Sequence, residues 1–186
     1  MIRGTDAFDK WQEYGLDVPA RRIILDDGID DAGRTGAICC DLLWLDKTKG
    51  PIELWINCPG GWASAMWALY DLMQTASNPI ITVGLGEVSS AAVLLLAAGT
   101  GTRYVMPNTT LMHHQSRHGR DATHRELIDY ARWAEQDEER WIRALARHTK
   151  TPYRKWKEKS GGEWYMVGEE LISAGIADEL WTHPGD

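Results

Sequence analysis

The stretch Pro79–Gly99, PIITVGLGEVSSAAVLLLAAG, carries the pattern that decides the fold. Its β-branched run, Ile80–Val83, is typical of a buried strand, and Gly84 predicts a glycine-containing turn directly after it. The apolar segment Ala91–Ala98 is typical of a buried helix that stops at Gly99, a residue suited to a helix C-terminus. The stretch therefore predicts a strand, a turn and a helix, with two serines at the start of the helix.

Two earlier parts of the chain repeat this arrangement. The predicted strand and helix pairs are 22–25 with 35–45 and 51–57 with 62–75, and two short strands follow the third unit at 103–106 and 110–115. Successive βα units place their strands in one mostly parallel sheet with right-handed crossovers. We therefore expect an α/β fold.

The rest of the chain predicts an arm and a long helix. Residues 1–19 mix charges and aromatic side chains without a period, which is typical of a loosely ordered arm or docking segment. The charged segment Thr123–His148 would form a helix about 39 Å long, more than one small core can cover. We expect this helix to project and the chain to self-associate, with all 186 residues in a single domain.

Composition excludes several classes of function. The formal net charge of -7 argues against a broad phosphate-binding surface, so nucleic acid is not expected as a partner. The longest apolar stretch, Ala91–Ala98, falls far short of the roughly 20 residues that span a bilayer, and the N-terminus lacks the apolar region of a signal peptide. We expect a cytoplasmic protein that does not enter the membrane.

Three cysteines and ten tryptophans complete the unusual features of the composition. Cys39, Cys40 and Cys58 lie in apolar surroundings, which favours free buried thiols over a disulfide framework or a metal site. The tryptophans are expected to form large apolar contacts or subunit interfaces.

Ser90 stands at the head of the predicted apolar helix and has two interpretations. Its hydroxyl could cap the helix by accepting a hydrogen bond from a first-turn N–H. It could instead be a nucleophile, because the same N–H groups and the positive end of the helix would stabilise an oxyanion beside it. A nucleophilic serine needs a base and a third group that orients the base.

Two histidines on the last predicted strand are candidates for that base. His113 and His114 are adjacent, and successive strand side chains point to opposite faces, so only one of them can face Ser90. The C-terminal ends of neighbouring strands are where open α/β sheets place their active sites. The other histidine is expected to be structural.

Gly60 and Gly61 follow the second predicted strand and also have two interpretations. They could form a tight turn into the next helix, or they could let a substrate approach the main chain. In the second case the N–H groups of Gly61 and Ala91 would flank one carbonyl oxygen as an oxyanion hole.

These residues lie in segments that resemble a known family. The segments are NCPGG at 57–61, GLGEVSSAAVLLLAAGTGTRYVMPNTTLMHHQ at 84–115, and ISAGIADEL near the C-terminus. From about Arg22 onward the sequence is similar to the ATP-dependent Clp protease proteolytic subunit (ClpP) family of serine peptidases. The resemblance implies a ClpP/crotonase-like fold of repeated βα units, with a projecting handle of strand and helix at 116–150.

The resemblance also implies roles for the candidate residues. It makes Ser90 the nucleophile and His114 the general base, and it makes Gly61 and Ala91 the oxyanion-hole donors. His113 matches a position that is not catalytic in the family.

The third member of the implied triad departs from the family pattern. The family has an aspartate where this chain has Glu163, whose extra methylene moves the carboxylate by roughly 1.5 Å. Gly161 and Gly162 beside it offer slack to absorb that shift. The alternative is that Glu163 is an exposed loop residue without a role, with Asp178 and Asp121 as weaker substitutes.

Assembly and partners are likewise implied by the resemblance. The long helix resembles the handle that interdigitates between two seven-membered rings, which implies a homo-oligomer of heptameric rings stacked as a tetradecamer. The segment Ser116–Asp121 is shorter than the family's glycine-rich strand and has serine where proline is usual, so ring contacts are expected to differ.

The implied function is that of a serine endopeptidase subunit in a self-compartmentalising protease. Its polypeptide substrates would be unfolded and fed by an AAA+ unfoldase of the ClpX/ClpA type, so ATP belongs to that partner, and this chain needs no metal or organic cofactor. Two alternatives stay open: a catalytically inactive ClpP-like structural subunit, and a crotonase-type enzyme whose paired amides bind an acyl-CoA thioester.

Overall fold

Eight strands and six helices form the described part of the chain, which covers residues 15–30, 33–119 and 121–181 of a computed structural model. The strands are β1 Leu16–Asp17, β2 Arg22–Asp26, β3 Ile52–Cys58, β4 Ile80–Ser89, β5 Arg103–Val105, β6 Thr110–His113, β7 Trp164–Val167 and β8 Glu179–Leu180. The helices are α1 Arg34–Leu45, α2 Ala63–Thr75, α3 Ala91–Ala97, α4 His124–His148, α5 Tyr153–Lys159 and α6 Glu169–Ser173.

The strands form one sheet in the order β1-β2-β3-β4-β5-β8, with β6 paired to β4 and β7 paired to β6. All pairs from β2 to β8 along this path are parallel, as is β4 with β6, and the antiparallel pairs are β1–β2 and β6–β7. The prediction of an α/β fold with a mostly parallel sheet is therefore confirmed. Of the predicted arm, residues 1–14 lie outside the described residues, and Leu16–Asp17 pairs with β2.

The prediction of a turn at Gly84 is wrong, because β4 continues without a break to Ser89. Its first half pairs with β5 and its last three residues pair with β6, so the strand changes partners along its length. The change occurs at Gly86, whose φ of 57° lies in the left-handed region. A Cβ there would lie 2.5 Å from Asn57 Oδ1, which accepts the N–H of Glu87. Gly84 and Gly86 therefore lie within the strand and do not end it.

Helix α3 is the centre of the core, and all seven of its residues are buried. It packs against the sheet and against α2 and α4, which explains why it has no polar face. Its N-terminus therefore emerges from the core at Ser90, where β4 ends.

The long helix α4 has two different halves. A capping box closes its start, because the Thr123 side chain accepts the backbone N–H of Glu126 and the Glu126 carboxylate accepts the backbone N–H of Thr123. The second half is buried at Trp141, Ile142 and Leu145, among others, and the first half exposes Leu127, Ile128 and Trp133. The predicted projection of the helix is confirmed for the first half only.

The cysteines are free thiols, but they are not all buried as expected. Cys58 is buried, Cys39 is half-buried and Cys40 is exposed. Burial raises the pKa of the Cys58 thiol to about 11, so that thiol is neutral at physiological pH. None of the helices in the described ranges has the length and hydropathy that a membrane span requires.

Candidate active site

Ser90 lies on a strained turn between β4 and α3. Its backbone angles are φ 54° and ψ −122°, a region that residues other than glycine rarely adopt. The conformation is held by two hydrogen bonds, from the Ser90 N–H to the carbonyl of Met112 at 2.7 Å and from the Val93 N–H to the carbonyl of Ser90 at 3.1 Å. The side chain makes no capping hydrogen bond. The interpretation of the Ser90 hydroxyl as a helix cap is therefore wrong.

His114 lies directly beside that hydroxyl. Strand β6 pairs in parallel with the end of β4, with Met112 opposite Ser89, so the next residues along β6 lie level with the start of α3. The distance between His114 Nε2 and Ser90 Oγ is 2.9 Å, and both residues are half-buried. The sheet thus brings a hydroxyl and an imidazole into direct hydrogen-bond contact.

His113 lies on the opposite face of β6 and is fully buried. Its Nε2 is 2.9 Å from Ser160 Oγ, and the Ser160 hydroxyl donates to the carbonyl of Trp156, so the serine oxygen accepts the His113 N–H. The Trp156 ring meets the imidazole edge-on at 4.8 Å. Burial, with a smaller contribution from His114, lowers the pKa of His113 to about 4. His113 is therefore a neutral core residue.

The two glycines after β3 fit closely against their neighbours. Gly60 has a φ of 96°, and a Cβ on it would lie 2.6 Å from Ser90 Cβ. Gly61 has a φ of 147°, and a Cβ on it would lie 2.0 Å from the carbonyl oxygen of Ile29. The interpretation of this pair as a tight turn is therefore confirmed, and the turn brings the main chain against Ser90.

The two expected oxyanion-hole residues share one cleft with the serine and the histidine. Gly61, Ser90, Ala91 and His114 all line a cleft of about 590 Å³. Ala91 is the first residue of α3, and the first N–H groups of a helix have no intrahelical acceptor. The cleft therefore has the components for attack on a carbonyl and for stabilising its oxygen.

Glu163 lies near His114, but its carboxylate is engaged elsewhere. Strands β6 and β7 pair His113 with Trp164, so the register continued by one residue sets Glu163 opposite His114. The Tyr165 hydroxyl donates to Glu163 Oε2 at 2.8 Å, and Arg117 Nη2 is 3.5 Å from Oε1. The Glu163 side chain is 46% exposed and makes no hydrogen bond to His114 within the described ranges.

The two weaker substitutes for Glu163 have other surroundings. The Asp178 carboxylate accepts hydrogen bonds from the backbone N–H, Nε and Nη2 of Arg103, and these bonds lower its pKa. Asp178 thereby links the start of β5 to the residue before β8. Asp121 is exposed ahead of α4.

The segment after His114 forms one wall of the cleft. Residues 116–119 adopt no regular secondary structure, and Ser116, Arg117, His118 and Gly119 all line the cleft. The Ser116 N–H donates to the Glu138 carboxylate at 3.2 Å, which ties this segment to α4. His118 Nδ1 lies 3.3 Å from the Tyr130 hydroxyl, a second contact with α4, and Arg117 Nη2 lies 3.5 Å from Glu163 Oε1. The wall is therefore held by contacts of Ser116, Arg117 and His118.

Sequence reasoning missed the opposite wall, which α2 and α4 supply. Trp67, Asp137, Arg140 and Trp141 line the cleft, and Asp137 is only 6% exposed. In the sequence Asp137 belongs to the acidic run EQDEE, which indicates a solvated face. The available signal was its spacing of four residues from Trp141, which places both on one face of the helix.

No metal centre accompanies these residues in the described ranges, where no group of three His, Cys, Asp or Glu side chains could hold an ion.

The sequence of the chain is similar to those of known proteins. A profile of the Clp protease family matches residues 9–184. The ATP-dependent Clp protease proteolytic subunit of Dehalococcoides mccartyi is 32% identical over 185 residues, which span 98% of this chain and 90% of that relative. The ATP-dependent Clp protease proteolytic subunit 2 of Prochlorococcus marinus is 30% identical over 186 residues, spanning 96% of this chain and 92% of that relative. The chain belongs to the Clp protease family.

Proposed function

We propose that this chain is a serine endopeptidase subunit in which Ser90 is the nucleophile and His114 the general base. The observation that carries the proposal is the 2.9 Å contact between His114 Nε2 and Ser90 Oγ at the head of a buried helix. The imidazole accepts the hydroxyl proton as Oγ attacks a peptide carbonyl, and it then gives the proton to the leaving amine. The backbone strain at Ser90 supports this role, since strain of this kind concentrates at functional sites.

The oxyanion that forms in this reaction is assigned to two backbone donors. We assign the N–H groups of Gly61 and Ala91, which line the cleft with Ser90. Loss of one such donor typically costs about 2.7–4 kcal/mol of transition-state stabilisation. A chain with this arrangement needs no metal or organic cofactor for peptide hydrolysis.

Glu163 is assigned as the group that orients His114. Its position opposite His114 in the β6–β7 register supports the assignment. Its Oε1 has one weak contact among the described residues, at 3.5 Å from Nη2 of the exposed Arg117. Rotation of the carboxylate away from Arg117 would let it accept the imidazole N–H while Tyr165 holds the other oxygen. The active state then contains a Ser90–His114–Glu163 triad.

Assembly into rings is the second part of the proposal. The first half of α4 exposes Leu127, Ile128 and Trp133, an apolar surface that a second copy of the chain would cover. We infer heptameric rings stacked as a tetradecamer, fed with unfolded polypeptides by an AAA+ unfoldase that consumes the ATP. The two relatives support this inference, because both are named as proteolytic subunits of ATP-dependent proteases.

The proposal is tested by replacing the nucleophile. Ser90→Ala should abolish peptide hydrolysis and fluorophosphonate labelling while the oligomer seen by sedimentation stays the same. Ser64→Ala is the matched control, because Ser64 is an exposed serine lining the same cleft. Undiminished turnover in the Ser90 variant would refute the assignment.

A catalytically inactive structural subunit is the second candidate. The engagement of Glu163 by Tyr165 and Arg117 favours it, since that carboxylate is not on His114. A purified chain that forms rings and yet fails to react with the fluorophosphonate would establish this candidate in place of the enzyme.

A further inference from the structure

A buried carboxylate lies in the same cleft as Ser90, and the proposed mechanism does not use it. Asp137 on α4 is 6% exposed, although it lies in the middle of a run of charged residues. Burying a charged group costs free energy unless the group is paired, so the partners of this carboxylate determine its role. Its place in the wall of the cleft makes it accessible to a substrate side chain.

Arg140 provides the one ion pair of Asp137 within the described ranges. Arg140 Nη2 donates to Asp137 Oδ1 at 2.5 Å, and the guanidinium group stacks on the Trp67 ring with its centre 4.3 Å from the ring centroid. The second oxygen of Asp137 makes no hydrogen bond to any residue in those ranges. Oδ1 of Asp137 is therefore paired with Arg140, and Oδ2 can accept a hydrogen bond from a substrate.

The walls around this carboxylate are aromatic. Trp141 lies one helical turn beyond Asp137, Trp67 faces it from α2, and Tyr130 and Trp133 line the outer part of the cleft. Aromatic walls favour a ring that enters edge-on or offset-stacked. A cavity of about 590 Å³ is large enough for a bulky side chain whose tip reaches the carboxylate.

The charges around the cleft determine which end group of a substrate side chain fits beside Asp137. Arg140 already balances Asp137, and Arg117 lines the same cleft, so a lysine or arginine side chain meets two like charges and one opposite charge. A neutral donor avoids that repulsion and still hydrogen-bonds to the free carboxylate oxygen. A phenol combines such a donor with an aromatic body.

We propose that Asp137 makes this cleft a specificity pocket for tyrosine as the residue that contributes the scissile carbonyl. The inference rests on the proposed function, since the pocket matters to catalysis only if Ser90 attacks a peptide bond. Phenylalanine fills the same aromatic walls but leaves the carboxylate without a partner. A site built to hydrogen-bond a substrate hydroxyl discriminates against the analogue that lacks it.

The experiment compares three fluorogenic peptides that differ only in having tyrosine, phenylalanine or lysine before the scissile bond. The wild-type chain should cleave the tyrosine peptide with a kcat/KM about tenfold above the phenylalanine peptide, the size expected for one hydrogen bond to a charged group. The lysine peptide should be the poorest. Equal rates for tyrosine and phenylalanine, or the highest rate for lysine, would overturn the inference.

Variants of Asp137 identify the residue responsible. In Asp137→Leu the ratio of kcat/KM for the tyrosine peptide to kcat/KM for the phenylalanine peptide should fall from about ten to about one. A ratio unchanged from wild type would contradict the proposal. Glu135→Gln is the matched control, because Glu135 is exposed in the same acidic run. If Asp137→Leu does not fold, the ratio in Asp137→Asn decides, and a ratio unchanged from wild type contradicts the proposal.

Fluorophosphonate labelling of Ser90 separates this inference from the function on which it rests. Labelling with equal rates for the two aromatic peptides removes the specificity pocket and leaves the peptidase. Absence of both labelling and turnover removes the peptidase and the pocket together.

Discussion

The adjacent histidines His113 and His114 lie on opposite faces of β6 and have different environments. His113 points into the core, where Ser160 accepts its N–H and Trp156 packs against its ring, and its burial keeps it neutral. His114 points into the open cleft, where its only described partner is the Ser90 hydroxyl. Alternation along a strand is enough to give one imidazole a structural role and its neighbour a reactive environment. The role of a histidine on this strand therefore cannot be predicted until it is known which face of β6 its side chain lies on.

The largest expected effect is the loss of activity when the histidine on the cleft face of β6 is replaced. His114→Ala should lower kcat for peptide hydrolysis by about 10⁴–10⁶-fold, because no other base among the residues that the structure describes touches Ser90. The free energy of unfolding should change by less than about 1 kcal/mol, since His114 is only half-buried. His118→Ala is the matched control from the rim of the same cleft, and it should keep most of the activity. A His114 variant with near wild-type kcat would break the comparison.

The second largest effect is expected at Gly60, where the main chain packs against Ser90 in the cleft. Gly60→Ala should destabilise the fold by about 3 kcal/mol and abolish activity, because its Cβ would meet Ser90 Cβ at 2.6 Å and the Ser89 carbonyl at 2.7 Å. Denaturant unfolding and peptide turnover measure the two results. Gly162→Ala is the control, since a Cβ there meets nothing within 4 Å. An active and fully stable Gly60 variant would show that the close contact with Ser90 is not needed.

The smallest expected effect probes the buried face through pH. The pKa of His113 is lowered from 6.5 to about 4 in the fold, so the unfolded chain binds more protons between those values. This stability contribution is complete above pH 6.5 and is lost as the pH falls toward 4. Its loss should amount to about 2 kcal/mol between pH 7 and pH 4.5.

Urea unfolding at the two pH values, with His113→Gln as the comparison, measures this contribution. The glutamine variant keeps a side-chain donor for Ser160 but does not titrate, so its stability should fall less over the same interval. An identical pH dependence in the two proteins would show that His113 is not the group responsible.

Much of the fold and part of the site followed from local pattern. The alternation of apolar strands with amphipathic helices is a short-range property, and it predicted the parallel sheet and the long helix α4 that the structure contains. The resemblance to the ClpP family, carried by segments such as NCPGG at 57–61, is confirmed by the profile match over residues 9–184. The pattern failed at Gly84, because a glycine inside a strand and one that ends a strand look alike in sequence.

The sequence by itself determined which segments are buried and that a serine stands at the head of the apolar helix, because hydrophobic period and glycine placement act between near neighbours. Tertiary structure alone decided that the Ser90 hydroxyl bonds His114 and does not cap α3. It also decided that Asp137 is buried and that Glu163 contacts Tyr165 and Arg117. The contacts of Ser90 with His114 and of Glu163 with Arg117 join side chains far apart in the chain, whose distances are set only when the strands and α4 pack together.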